Sequence, residues 1–222
     1  MDDKAVTRAS RDFYGRTFQA HAVSHGSLGY SGPQAQESRF EQFTRFADLT
    51  GSSVLDAGCG FADLYPFLAA RFKDVRYTGI DIMPEFVAAA RKRQPNAEIL
   101  EMSIESLPKN RSWDFVFACG PFNLKQHTFE VVERGLRAMW QRANKAVAVS
   151  LLSRYSTSAE NPEASYYEPA DFVALAGKLS RRFSLNHGYR DNDFLLTIFK
   201  DQAHAGLEQN PGKITAATIR KP

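Results

Sequence analysis

Asp56, Gly58, Gly60 and Asp63 stand close together in the run Ser53-Val-Leu-Asp-Ala-Gly-Cys-Gly-Phe-Ala-Asp-Leu64. Val54 and Leu55 read as a buried strand, and Asp56 sets a carboxylate where it ends. Gly58 and Gly60 bracket Cys59, and a helical pattern opens at about Phe61, with Leu64, Phe67 and Leu68 on one face. A strand that ends in a glycine turn and opens a helix is a ligand-binding arrangement. Glycine lets the backbone approach the ligand, and a helix N-terminus supplies unpaired N–H groups. A dinucleotide site wants a small residue at the position that Asp63 holds, and an anion there opposes a diphosphate. Two carboxylates beside the turn instead suit a ligand that is cationic or zwitterionic where it lies. The plain alternative is a tight strand-to-helix turn.

Further chemistry-bearing residues end the apolar runs that follow. Asp81 closes the second run, about twenty residues after the glycines, a spacing that reaches a ribose and its two donor hydroxyls. Its competing role is to cap the helix beginning at Pro84. The third run ends at Met102-Ser103-Ile104-Glu105 and the fourth at Ala118-Cys119-Gly120-Pro121-Phe122-Asn123. Asn123 and His127, just beyond, are the candidate catalytic residues, His127 as a general base. Each also reads as a packing or substrate-shaping residue.

These residues need elements to carry them. Helical spacing covers 3–23, a glycine-containing loop 24–33, and a second amphipathic helix Gln34 to Leu49, with Phe40, Phe43, Phe46 and Leu49 on one side. Beyond the first strand the pattern alternates: strand Val75–Asp81, helix Pro84–Arg93, strand Ala97–Met102, strand Trp113–Cys119, helix Thr128–Ala143 and strand Ala146–Leu152. A long loop carrying Tyr155, Tyr166 and Tyr167 leads to a helix over Pro169–Leu179. Two alternating segments, Arg182–Tyr189 and Asp193–Lys200, then read as a β-hairpin. The expected class is α/β: a doubly wound, mostly parallel seven-stranded sheet with one antiparallel strand from the C-terminal hairpin, and helices on both faces. Residues 1–50 form an N-terminal helical cap, 51–200 the core, and 201–222 a loosely ordered tail. The loop from Ser153 to Glu168 exceeds the usual connection and is expected to be a mobile cover over the strand ends.

Composition limits the partners. The net charge of +3 is mild, and 28 basic residues are interspersed with 25 acidic ones. No nucleic-acid or membrane partner is called for. The 2 cysteines, Cys59 and Cys119, read as small buried thiols, and no metal-ligand spacing occurs. The N-terminus is polar and no apolar stretch reaches membrane length, so a cytoplasmic protein is expected. The oligomeric state stays open.

The stretch through Asp56, Ala57 and Gly58 resembles motif I of the class I S-adenosylmethionine-dependent methyltransferases. Asp81-Ile82-Met83 resembles their motif II. The resemblance implies the cofactor S-adenosyl-L-methionine, with Asp81 on the ribose and Ile82 against the adenine. It implies a hydroxyl, Ser103, where the family often has an acid at the adenine edge, with Ile104 supplying an apolar face for the ring. Asp114 resembles a motif IV aspartate of structural role, and Phe61 stands where the family has a small residue. A bacterial subgroup of undefined substrate is similar in Leu28-Gly29-Tyr30, with Gln36, Arg39 and Phe40 (Trp is more usual at position 30), and in the Tyr189…Asp193-Phe194 hairpin. Tyr30 and Cys119 complete the expected cofactor set. Arg39, beside the Phe40/Phe43 stripe, is the cation expected to face the cofactor carboxylate. The alternative is a surface arginine paired with Glu37 or Glu41. The implied reaction is in-line methyl transfer to an O or N nucleophile of a small-molecule acceptor. The competing functions are methylation of RNA or protein, and a non-catalytic scaffold.

Overall fold

The computed structural model describes residues 3–157 and 161–200; the tail expected to be loosely ordered, 201–222, lies outside the described residues. Seven strands form one sheet: β1 (Ser53–Ala57), β2 (Arg76–Asp81), β3 (Glu98–Glu101), β4 (Trp113–Cys119), β5 (Ala143–Leu152), β6 (Phe183–Arg190) and β7 (Asp193–Phe199). Their order is β3-β2-β1-β4-β5-β7-β6, and β7 alone runs against its neighbours. From β1 the chain winds outward to β3, then returns to place β4 on the other side. The switch point therefore lies between β1 and β4, where open α/β sheets bind ligands.

Strand alternation divides the core. Leu55, Ala57, Val116, Ala118, Val147 and Val149 face α5 (Phe129–Arg142) and α6 (Pro169–Leu179). Val54, Phe115 and Phe117 face α2 (Pro33–Thr44), α3 (Leu64–Ala69) and α4 (Pro84–Arg93). On this second face Phe43 stacks on Phe117 at 4.9 Å. α2 ends at Thr44, short of the expected Leu49, yet Leu49 is still buried in the core on this face.

α1 (Asp3–His21) lies over the strand ends. Tyr14 and Phe18 dock on Phe86 at 5.6 and 5.8 Å, and Phe86 meets Phe61 at 5.0 Å. The bulky ring at position 61 is thus a seat for α1. Arg11 Nε donates to the Ile82 carbonyl at 3.0 Å on one side, and Gln126 Nε2 donates to Ser10 Oγ at 2.9 Å on the other. The helix spans the mouth of the cleft.

The long loop after β5, expected as a mobile cover, is held by backbone hydrogen bonds in its described part. It is tied to the segment after β4, where Ser165 N donates to the Asn123 carbonyl and Lys125 N to the Glu163 carbonyl, and to the end of β5, where Tyr167 N donates to the Leu152 carbonyl. Tyr167 is buried, and its hydroxyl donates to the carbonyls of Phe122 and His127. Backbone hydrogen bonds on this scale make it a wall.

Candidate active site

The turn after β1 is built for clearance. Gly58 has φ 76°, and a Cβ on it would lie 2.5 Å from Pro121 Cβ. Gly60 has φ 55°, and a Cβ there would lie 2.7 Å from Leu28. Gly58 is required by the approach of the β4 turn, whereas at Gly60 the neighbour is the end of the flexible Leu28 side chain and the positive φ is the constraint.

The helix that the sequence pattern opens at Phe61 begins only at Leu64. The amides before it are already engaged. Gly58 N and Cys59 N donate to the Ile80 carbonyl, and Gly60 N donates to Asp81 Oδ2 at 2.9 Å. The Gly58, Cys59 and Gly60 amides are therefore spent within the protein rather than offered to a ligand. Asp63 also turns away, forming an ion pair with Arg93 at 2.7 Å. Of the two carboxylates that suggested a cationic ligand, Asp56 is the one at the cavity.

Asp56 is buried, and Tyr77 donates its hydroxyl to Oδ2 at 2.6 Å. Its Oδ1 is buried without a hydrogen-bond partner. Burial, with Asp81 nearby, pushes this carboxyl up to about 7, against the pull of the Tyr77 hydroxyl. Asp81 accepts from Gly60 N and Met83 N, each at 2.9 Å, so it joins the glycine turn to the start of α4. Its carboxyl is pushed up to about 6 by burial, with the backbone donors working against that rise. Capping leaves the carboxylate free to accept from a ligand as well, because each oxygen keeps a second lone pair.

Around these acids lies a cleft that opens to solvent. Tyr30, Asp56, Gly58, Asp81, Ile82, Ser103, Ile104 and Cys119 line it, as does His127. Ala57 does not: it is wholly buried against α5, and its contribution is backbone. Ser103 Oγ lies 3.0 Å from Ser106 Oγ at the exposed rim. Tyr30 donates its hydroxyl to the Cys119 carbonyl at 2.9 Å, which holds the 25–30 loop against the end of β4. Asp114, by contrast, is at the opposite end of β4, accepting from Ser53 N and Ser53 Oγ, a structural tie.

Arg39 is neither on the surface nor in this cavity. It is buried, forms an ion pair with Asp193 of β7, and its guanidinium lies over the Tyr30 ring at 5.3 Å. Nη1 donates to the Ala35 carbonyl at 2.7 Å, and only Nε lacks a partner. The expectation weighed Glu37 and Glu41 as partners. Asp193, far along the chain, was not visible as one, since nothing local pairs α2 with the hairpin. Gln36, one turn before Arg39, lines the cavity instead.

His127 is buried, with Nε2 3.4 Å from Ser10 Oγ and Nδ1 unpartnered. Burial lowers its pKa to about 4, so the ring is neutral at physiological pH. It stands just before α5, the helix that packs against the Ile104–Ser106 turn. Asn123 accepts from Leu152 N through Oδ1 at 3.2 Å and faces a second cavity. Residues missed by the sequence reading come from α1: Val6, Thr7, Ser10 and Tyr14 all line the first cavity. Ser10, polar within an apolar stripe, was the available signal.

The orphaned Asp56 oxygen and the cleft fit a ligand with a cationic amino group at that end. A methyltransferase-domain model matches residues 54–145, from β1 into β5. A Mycobacterium tuberculosis protein named as a methyltransferase, Rv1506c, is 30% identical over 160 residues, 67% of this chain and 93% of that one. Among solved structures, magnesium protoporphyrin IX methyltransferase from Synechocystis PCC 6803 with bound S-adenosylmethionine superposes with a TM-score of 0.64. It is 17% identical and covers 90% of this chain and 98% of its own. The DhpI complex with S-adenosylhomocysteine gives 0.65 at 15% identity, covering 88% and 97%. The chain belongs to the class I S-adenosylmethionine-dependent methyltransferases. It is an enzyme of that class, and its cofactor is S-adenosylmethionine.

Proposed function

We propose that the protein methylates an oxygen or nitrogen of a small molecule held in the second cavity. The carrying observation is how the two cavities meet. Tyr14, Leu28, Tyr30 and Gly120 line both, and the second is walled by the pinned loop through Asn161, Glu163, Ala164 and Tyr166. An acceptor there sits in a cleft beside the cofactor cavity, a size and shape that suit a small molecule. The Synechocystis neighbour, whose title names magnesium protoporphyrin IX, supports a small acceptor.

S-adenosylmethionine brings a methyl group already bonded to a cationic sulfur, so the chain's residues need chiefly to align the partners and exclude water. In this reading Asp56 Oδ1 takes the ammonium and Asp81 the ribose. Ile82, Ser103 and Ile104 hold the adenine, and Gln36 takes the cofactor carboxylate in place of Arg39. Tyr30 and Cys119 close the wall between the cavities, and α1 covers the cleft. His127 seats α1 and the ring end of the cleft, and Asn123 presents its amide to the acceptor.

Calorimetry with S-adenosylmethionine tests the assignment. Asp81→Ala removes charge-assisted hydrogen bonds worth about 1.5–3 kcal/mol each, so affinity falls at least tenfold while the fold is kept. An unchanged dissociation constant removes the support for Asp81 on the ribose.

A further inference from the structure

The two cavities meet at Gly120, which lines both. Its φ is 82°, and a Cβ built on it would lie 3.4 Å from Asn123 Nδ2 and 3.5 Å from Tyr30 Oη. Among the described residues, apart from Gly120 and its chain neighbours, no other heavy atom comes within 4 Å of that point. The glycine thus leaves a gap on the seam, flanked by one amide nitrogen and one phenol oxygen.

The polarity of both groups is fixed. Asn123 Oδ1 accepts from Leu152 N at 3.2 Å, so the amide turns its Nδ2 donors toward the gap. Those donors have no hydrogen-bond partner among the described residues, and the nitrogen is reached by solvent rather than sealed in the core. Tyr30 spends its proton on the Cys119 carbonyl at 2.9 Å, so it offers the gap only lone pairs. Burial raises the pKa of this hydroxyl, which keeps the proton in place at neutral pH.

A donor on one side and an acceptor on the other match a hydroxyl. Its oxygen accepts from Asn123, its proton is donated to Tyr30, and a second lone pair is left to take the methyl group. A neutral amine has a single lone pair. Bonded to Asn123 it cannot react, and turned to the methyl group it leaves that donor unpaired. A carboxylate brings no proton and sets its lone pairs against those of Tyr30.

We propose that the reacting group of the acceptor is a hydroxyl, received between Asn123 Nδ2 and Tyr30 Oη at Gly120, and that these two groups select oxygen over nitrogen. The proposal rests on the second cavity being the acceptor site. In the transfer the hydroxyl oxygen forms the new O–C bond, and the sulfur keeps the electron pair of the broken C–S bond. The hydroxyl proton leaves to water in the open cleft.

Phe13, Tyr14, Tyr30 and Tyr166 line the second cavity, which suits aromatic probes. The test uses the full chain saturated with S-adenosylhomocysteine and titrated calorimetrically with phenol and aniline, a pair alike in size and shape. Phenol is expected to bind about fivefold or more tightly than aniline, and to shift the Asn123 side-chain amide signals in a nitrogen–proton spectrum. Asn123→Ala is expected to remove the preference for phenol, with the affinities for aniline and S-adenosylhomocysteine unchanged. Equal binding of the two probes, binding of neither, or tighter binding of aniline overturns the proposal and leaves the methyltransferase assignment standing. A variant that weakens both probes and S-adenosylhomocysteine alike also overturns it, since Asn123 then serves only to hold Leu152 N. Wild-type protein that fails to bind S-adenosylhomocysteine removes the proposed function, and the hydroxyl with it.

Discussion

Asp56 joins charge to proton. Its carboxyl titrates at about 7 because it is buried, and Oδ1 has no partner. A ligand ammonium favours the ionised form, so binding should release a proton near neutrality. A group whose folded pKa is raised stabilises the free protein below its unfolded value and loses that contribution as pH rises through about 7. Ligand affinity has the opposite sign. Affinity for S-adenosylmethionine should be constant well above pH 7 and fall towards tenfold per unit below it. Calorimetry in buffers of different ionisation enthalpy should show proton release at pH 6.5, absent in Asp56→Asn. At Gly58 the effect is steric. Alanine there meets Pro121 at 2.5 Å with φ at 76°, and each defect costs about 1–3 kcal/mol. Denaturant melts of Gly58→Ala should show that loss even without cofactor, which a purely ligand-facing glycine would not.

The elements framing the cleft differ in how firmly they are held. The loop after β5 is fastened by backbone hydrogen bonds to residues 123–125 and by the buried Tyr167. Amide exchange at Lys125, Ser165 and Tyr167 should already be slow in the free protein and change little when S-adenosylhomocysteine is added. Amides that exchange at once in the free protein would restore the mobile cover that loop length alone suggested. α1 rests on an aromatic contact, Tyr14 and Phe18 against Phe86, and on side-chain bonds at its two edges. With four of its residues lining the first cavity, it is part of the site rather than an edge cover.

Across the whole molecule, the Arg39–Asp193 pair ties α2 to the last strand, and Tyr189 donates its hydroxyl to the same carboxylate at 2.6 Å. Removing one partner of a buried pair leaves an uncompensated charge and costs about 3–5 kcal/mol. Arg39→Ala and Asp193→Asn should each lower unfolding free energy on that scale, and together should lose clearly less than the sum. Additive losses would show that the two side chains act separately. This pair also sets where Tyr30 stands, since the Arg39 guanidinium lies over its ring.

Most of the sheet was legible because its information is local. Apolar runs bounded by Asp81, Cys119 and Leu152 end where the strands end, and the turn at 190–192 announces the hairpin. The Asp56, Gly58 and Asp81 pattern was legible for the same reason: a turn's conformation and the next strand's carboxylate are written within a short span. What only the tertiary structure decided depends on distant residues meeting. Gly58 needs its hydrogen because Pro121 arrives from β4. Asp63 leaves the site because α4 brings Arg93 to it, and Arg39 lies outside the first cavity, lining the second, where β7 brings Asp193. A charged side chain takes the best partner the packed chain delivers, and sequence spacing does not reveal which one that is.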